Sequence, residues 1–363
     1  MRGVDLLAAV DAPINRRASP DSTSFGALIR AACGVLSREN PALRPRSASG
    51  EPGGLLCVTQ PRVILVPDIH ARAGLLAALL RASAAPLGFG GKTIADLAAE
   101  GEVGIVCLGD VMHSEGREAA KRWRLAARYM RCRRHCGDSG YTLKTPPPGN
   151  SPMDEEMRRS LAALEAVMGV KILIPENFHC LKGNHDNAGN AGDHGDFPFF
   201  KYAREGEMTA EWLVRVYGGE MVRELRKYEL LLPLVAVGKA FCASHAEPAV
   251  PLNRDAILGY GSRPDVVQAL IWTGNGEAED KAAERTMAEL LGKNPAKTGA
   301  RWFSGHRPVT GFWATRADGL VIQIHNPGKM QFVWIDNSRE TLPACLMFLL
   351  RGDGELTLAG KIS

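Results

Sequence analysis

An α/β architecture with a mixed sheet or two packed sheets is what this sequence predicts, and three observations lead there. Short β-branched apolar runs recur along the middle of the chain, of the kind that fills a strand buried on both faces. Helical periodicity alternates with them in the first half, while the second half carries mostly strand signals, so βα units are followed by a largely β region. The runs also share an ending: several deliver an Asp, Asn or His just beyond the carboxyl end, the edge where ligands bind in open α/β sheets.

Residues 1–60 read as an N-terminal extension, with a helix over 24–37 capped by Ser22 or Thr23 and then a linker, 38–54, rich in Pro, Gly, Ser and charge. The main domain, 61–345, opens with a strand at 63–66, a helix at 74–83 and a second strand at 103–108. Residues 118–136 and 153–168 have helical periodicity, and the Pro-Pro-Pro-Gly breaker within 137–152 separates them; they make up a helical insertion at about 118–170. Strand signals follow at 171–174 and 178–181, then a helix over 207–228. Runs at 231–237 and 240–244, joined at Gly238-Lys239, predict a β-hairpin. Runs at 302–304, 311–315, 320–325 and 331–336 predict a series of antiparallel strands, and 346–363 reads as a C-terminal tail.

Composition narrows the class. A chain of 363 residues, 45% apolar and 23% charged, is an ordinary globular protein long enough for one large domain with insertions or two modest ones. The net charge of +4, from 44 basic and 40 acidic residues, is too small to imply nucleic acid. No run of about 18 apolar residues occurs, so no membrane span is expected, and the apolar stretch 6–10 is too short for a secretory signal. The eight cysteines are scattered, and Cys107, Cys180 and Cys242 fall inside strand-like apolar runs, which points to a reducing, cytoplasmic compartment. Cys132, His135 and Cys136 stand close enough to be metal ligands, but no second Cys pair sits at zinc-site spacing, so a helix that happens to carry them is preferred.

The chemistry-bearing residues lie at the strand ends. They are Asp68 and His70, then Gly109-Asp110, then Gly183-Asn184-His185-Asp186, then His245, then Gly305-His306-Arg307-Pro308. Carboxylate can bridge two cations, while Asn oxygen and imidazole nitrogen complete their shells without adding charge; such a mixed set suits Mn, Fe, Zn or Ni better than Ca or Mg. Two cations about 3.5–4 Å apart lower the pKa of a bridging water and clamp an in-line phosphoryl displacement. Glycines before Asp110, Asn184 and His306 permit tight turns and close backbone approach.

Five such elements in this order resemble the signature of the calcineurin-like metallophosphoesterase superfamily, and its phosphoprotein-phosphatase-like branch in particular. The segment from Phe241 through His245 to Pro248 resembles that branch's Phe-Cys-x-His-Gly-Gly with one extra residue, Ile271-Trp272-Thr273 resembles its Leu-Trp-Ser, and Gly305-His306-Arg307-Pro308-Val309 resembles its Gly-His-Thr-Pro-Val. The likeness covers roughly 61–336. It implies an αββα sandwich, two mixed sheets flanked by helices, carrying the helical insertion. It implies two divalent metal ions, Mn above all. Asp68 and His70 would bind the first and Asn184, His245 and His306 the second, with Asp110 bridging. A metal-activated hydroxide would attack phosphorus in line, with His185 protonating the leaving group. The implied activity is that of a phosphomonoesterase, similar to protein serine/threonine phosphatases, acting on a phosphoprotein or a small phosphoester. A phosphodiesterase or dinucleoside-polyphosphate hydrolase, and a metal-binding pseudoenzyme scaffold, remain as alternatives.

The sequence departs from the family pattern in two places. Pro67 and Ala71 replace the glycines of the first loop, Gly-Asp-x-His-Gly. In the second motif, Gly-Asp-x-Val-Asp-Arg-Gly, His113 stands where the Asp that pairs with the acid histidine should be, and Ser114 where the phosphate-binding Arg should be. Asp186 or Glu115 would then orient His185, with Asp186 carried as part of the catalytic set. Arg117 is the preferred phosphate binder, with Arg254 and Arg301 as further candidates. His113 reads equally as a support to the site or as a bystander, and His325 as flanking the site or structural. His135, His179 and His194 carry no signal beyond exposure. Residues 187–196 read as a loop on the rim, and Trp272 and Trp302 as core aromatics. The stretch 121–134 carries seven basic residues in 14 positions, either a basic cap over the site or, preferred, a solvated helix face.

Overall fold

A computed structural model of the chain describes residues 3–136, 151–341, 345–351 and 354–362. The strands in chain order are β1 (Leu55–Cys57), β2 (Arg62–Val66), β3 (Val103–Cys107), β4 (Phe178–Cys180), β5 (Val235–Val237), β6 (Phe241–Ser244), β7 (Arg301–Ser304), β8 (Ala314–Arg316), β9 (Val321–Gln323), β10 (Gln331–Asp336), β11 (Cys345–Leu350) and β12 (Leu356–Ile362). They form two six-stranded mixed sheets, β1-β5-β6-β7-β9-β8 and β12-β11-β10-β2-β3-β4. Helices α1 (Gly3–Asn15), α2 (Ser22–Ser37), α3 (Ala73–Arg81), α4 (Ile94–Glu100), α5 (Arg117–Cys136), α6 (Pro152–Leu173) and α7 (Glu205–Leu230) lie along the outside of the second sheet, and α8 (Arg254–Leu258), α9 (Pro264–Ile271) and α10 (Ala282–Leu291) along the outside of the first.

The strand sequences explain the layering. In β2, Val63 and Leu65 face the other sheet while Ile64 and Val66 face the helices, so every position after Arg62 is buried and the run is apolar throughout. Leu65, Val106, Ala243, Phe303, Ile322 and Val333 fill the space between the sheets. Trp123, Trp212 and Phe25 pack under the helices of one outer layer, and Trp302, Cys242 and Val321 under those of the other. The result is the αββα sandwich implied by the resemblance. No described helix is long and apolar enough to cross a membrane.

Several local expectations change. The segment 171–174 is the last turn of α6, because the helix begins in a Ser151–Asp154 capping box and keeps Lys171 inside an ion cluster at its end. Asp21, rather than Ser22 or Thr23, caps α2 by accepting from the Thr23 and Ser24 amides. The late strands are not one antiparallel run: β7 and β9 pair in parallel, β8 is antiparallel to β9, and β10 crosses to the other sheet against β2. Residues 346–363 are not a tail, since β11 and β12 pair in the second sheet and bury Cys345, Met347 and Ile362. The side chains of Cys132, His135 and Cys136, and the breaker at 137–150, lie outside the described residues.

Residues 38–54 are not a free linker either. Arg44 is fully buried; it donates to the carbonyls of Gly53 and Leu231, to the Tyr260 hydroxyl and to Glu39. Glu39 also accepts from Lys171, whose ammonium touches His179. Burial opposes ionisation of Glu39, yet its contacts with His179, Lys171 and Arg44 hold it below the usual carboxylate range. A buried polar cluster of this kind is invisible to composition, which scores Arg and Glu as surface. Arg44→Ala should lower unfolding free energy by about 3–5 kcal/mol, because it leaves Glu39 short of a partner in a dry site; an unchanged denaturant midpoint would contradict this packing.

Candidate metal centre

Six strands, β2, β3, β4, β6, β7 and β9, point their carboxyl ends at one cleft, three from each sheet. Just beyond those ends stand Asp68 and His70, Asp110, Asn184 and His185, His245, His306, and His325. The loops that carry them are bent sharply. His70, Ala71, Asp110, His113 and His306 all have positive φ, between 44° and 65°, in the left-handed region that non-glycine residues rarely occupy. Strain at five positions around one cleft is the pattern of a functional site. Two glycines make the approach possible: a Cβ on Gly183 would lie 2.2 Å from Asp110 Oδ1, and one on Gly305 would lie 1.7 Å from Asp68 Oδ1.

Hydrogen bonds fix the orientation of the ligand candidates. His70 Nδ1 donates to the His113 carbonyl at 2.9 Å, and His245 Nδ1 donates to the Leu108 carbonyl at 2.8 Å. A carbonyl only accepts, so both neutral rings present an Nε2 lone pair to the cleft. Those lone pairs face negative oxygen: Asp110 Oδ2 is 3.5 Å from His70 Nε2 and 3.4 Å from His245 Nε2. His245 Nε2 also lies 2.9 Å from Asn184 Oδ1, and His306 Nδ1 lies 3.0 Å from the same oxygen and 3.2 Å from His245 Nε2. The other Asp110 oxygen accepts the His185 amide at 2.7 Å, and Asp68 Oδ2 accepts the His306 amide at 2.9 Å. Asp68 Oδ1 is buried with no hydrogen-bond partner.

Electrostatics reflect this crowding. Burial pushes the Asp68 carboxyl up. It also acts to raise Asp110, but the imidazoles of His245, His185 and His70 outweigh it and hold Asp110 well below the usual range. Burial holds His70 and His306 well below the ordinary imidazole value, and lowers His185 against the pull of Asp110. His245 is raised, because Asp110 and Asp68 together exceed its burial.

Sequence reasoning missed Lys201 here and gave His325 and Glu115 other places than the structure does. His325, beyond β9, donates from Nε2 to Glu115 Oε2 at 2.6 Å, while its buried, unpartnered Nδ1 looks toward Asp68 Oδ2 at 3.8 Å. Glu115 sits with Oε2 3.2 Å from His70 Nε2 and ion-pairs through Oε1 with Lys201. Lys201 lines the cleft, whose volume is about 220 Å³, together with His70, Asp110, Asn184, His185, His306, Arg307 and the aromatics Phe199, Phe200 and Trp272. Among the described residues, Asp68, His70 and His325, then His70, Asp110 and His185, then Asp68, Asp110 and His245, each bring three ligand atoms within 4.8 Å of one another. A His at the end of a third parallel strand of the first sheet was the available signal for His325. Lys201 had none, because it lies in irregular chain.

Other expectations fail on contact with the geometry. Asp186 does not touch the His185 ring. Its carboxylate accepts the amides of Asp110, Val111 and Gly183 and so braces two loops, with burial raising its pKa to about 6. Glu115 is committed to His325 and Lys201, so it does not orient His185. His185 instead packs on Phe199 at 4.2 Å between ring centroids, with His113 at 5.4 Å, and its Nδ1 is buried without a partner. His113 is held by Thr209 at Nε2 and by Ser160 at its amide, so it supports the site.

Ser114 points away from the cleft. Its hydroxyl donates to buried Glu156, which also takes Arg122. Arg117, Arg254 and Arg301 are absent from the cleft wall, and so are the basic residues of α5 and the loop 187–196. Lys121, Arg124, Arg128 and Arg131 of α5 are exposed, as a solvated face requires. Trp272 is a cleft residue in contact with Phe197, whereas Trp302 is core. His179 is buried beside Lys171, not exposed.

No protein-family profile matches the sequence, and no curated protein matches it. Among solved structures, a protein serine/threonine phosphatase from Saccharomyces cerevisiae superposes with a TM-score of 0.51 at 12% identity, covering 95% of this chain and 90% of that one. A cold-active protein-tyrosine phosphatase of a Shewanella species gives a TM-score of 0.47 at 12% identity, covering 85% of this chain and 82% of that one. Likeness at this identity is likeness of fold. The chain therefore shares the two-sheet αββα sandwich fold of that solved serine/threonine phosphatase.

Proposed function

We propose that this protein is a metal-dependent phosphoesterase that hydrolyses a phosphomonoester, of a phosphoprotein or a small metabolite. One observation carries the reading: the Asp110 Oδ2 oxygen stands 3.5 and 3.4 Å from the Nε2 atoms of His70 and His245, each ring fixed through Nδ1 by a backbone carbonyl. A carboxylate oxygen and imidazole nitrogens converging in a buried site form a donor set that a divalent cation would coordinate. The orphaned Asp68 Oδ1 and His325 Nδ1 fit the same explanation.

The residues present thus fit two divalent ions. Asp68, His70 and His325 would hold the first and Asn184, His245 and His306 the second, with Asp110 shared. The donor set of carboxylate, amide oxygen and imidazole suits Mn, Fe, Zn or Ni. Glu115 would fix the His325 tautomer, as carboxylates commonly do for ligating histidines. When bound, such a pair would activate a water and polarise the phosphoryl oxygens.

The remaining work belongs to side chains. His185 lines the cleft, with its backbone amide tied to Asp110, and would pass a proton to the leaving oxygen. Incoming phosphoryl charge favours the protonated ring. Phe199 covers one side of that ring.

Four outcomes are expected. Asp110→Asn should abolish manganese-dependent hydrolysis of p-nitrophenyl phosphate while the circular dichroism spectrum is kept; retained turnover would refute the shared-ligand role. Chelation of the metal should silence the wild type, and the monoester should turn over faster than bis-p-nitrophenyl phosphate, with a preference for the diester deciding against a monoesterase. Asp186→Ala should act on structure first: three backbone amides lose their acceptor, which destabilises the fold by about 1–3 kcal/mol or more, and manganese binding weakens with it. Normal melting and metal content with kcat alone reduced would instead make Asp186 catalytic.

A further inference from the structure

Resting on the phosphoester reading of this cleft, we propose that Lys201 and Arg307 form its phosphate clamp, standing in for the arginine absent from the second motif, and that the pair selects the dianion of a monoester. The position of the missing arginine is closed to that job. Ser114 is bonded to Glu156, and the nearest guanidinium, Arg122, is tied to the same carboxylate. The cleft nonetheless has two cations on its wall, from two separate segments of the chain.

Lys201 reaches the site from the segment before α7. That segment is anchored: Glu205 accepts the amides of Lys201, Tyr202 and Ala203, and the Tyr202 hydroxyl accepts the Gly116 amide, tying it to the second motif. The ammonium is paired with Glu115, which uses one of its three donors and leaves two for a phosphoryl oxygen. It lies within the field of Asp110 and Asp68, the carboxylates that would flank the metals, while burial lowers its pKa. Arg307 follows the ligand candidate His306 directly. Its guanidinium is exposed, donates no hydrogen bond to any described residue, and is close enough for its charge to bear on Lys201. Two like charges held at one opening, one of them unpaired, are repelled by each other and relieved by an anion between them. A monoester carrying about two negative charges near neutral pH meets that need, whereas a diester carries one.

The test uses the full-length chain loaded with manganese. For Lys201→Met and Arg307→Met, the KM for p-nitrophenyl phosphate, the inhibition constant of inorganic phosphate and the manganese content are measured, with Arg117→Ala as control. Each clamp variant should raise KM and the phosphate inhibition constant about tenfold or more, as loss of a hydrogen bond to a charged group implies. Two manganese ions per chain and the wild-type melting temperature should be kept, and Arg117→Ala should change nothing. Unchanged phosphate binding in both variants of an active enzyme would overturn the clamp. So would loss of manganese in Lys201→Met, which would make the lysine a support for the metal shell. A wild type that neither binds phosphate nor hydrolyses any phosphoester would instead bring down the phosphoester reading itself.

Discussion

The arrangement around the Asp110 carboxylate is the constraint on which the rest of the site depends. One oxygen accepts the His185 amide, and the other sits between the Nε2 atoms of His70 and His245, whose Nδ1 protons are held by backbone carbonyls. Getting a carboxylate into that place requires positive φ at Asp110 itself and a glycine opposite, since any side chain at Gly183 would strike it. The Asp186 carboxylate then locks the two loops by accepting three amides. Fold, strain and hydrogen bonding all hold close together groups that a cation would coordinate.

Symmetry in the sandwich explains why the ligand candidates come from so many places. Each sheet contributes three parallel strands ending at the same edge, and the space between the sheets is filled with Leu65, Val106, Phe303 and their neighbours, which hold the two edges in fixed register. The second sheet supplies Asp68, His70, Asp110, Asn184 and His185; the first supplies His245, His306 and His325. The departures in the second motif fit the same frame. Glu115 bonds His325, Ser114 turns into the α5–α6 layer, and the segment before α7 brings Lys201 to the cleft wall.

Much of this was legible in the sequence, and the reason is local. A buried strand shows itself as an apolar run, and a polar residue one to four positions past its end must lie at the sheet edge, so Asp68, Asp110, Asn184, His245 and His306 could be grouped before any coordinates. His325 obeyed the same rule but lacked a neighbouring glycine or a family motif to draw attention to it. What could not be read were contacts made across the chain. Asp186 looked catalytic from its place beside His185, yet side chains of adjacent residues diverge, and its carboxylate turned back to the backbone. Arg117 was favoured for its nearness to the second motif, but the start of α5 carries it outward. Lys201 and the buried Arg44–Glu39–Lys171 cluster depend on partners more than 80 positions away, or on burial of charge that composition does not reveal.

Diffraction at the manganese absorption edge from crystals of the metal-loaded protein tests the central claim most directly. The account predicts two anomalous peaks about 3.5–4 Å apart, one on each side of the Asp110 Oδ2 oxygen, the first contacted by Asp68, His70 and His325 and the second by Asn184, His245 and His306. A cleft that shows no anomalous density under saturating manganese, with the same close imidazole–carboxylate contacts intact, would contradict it.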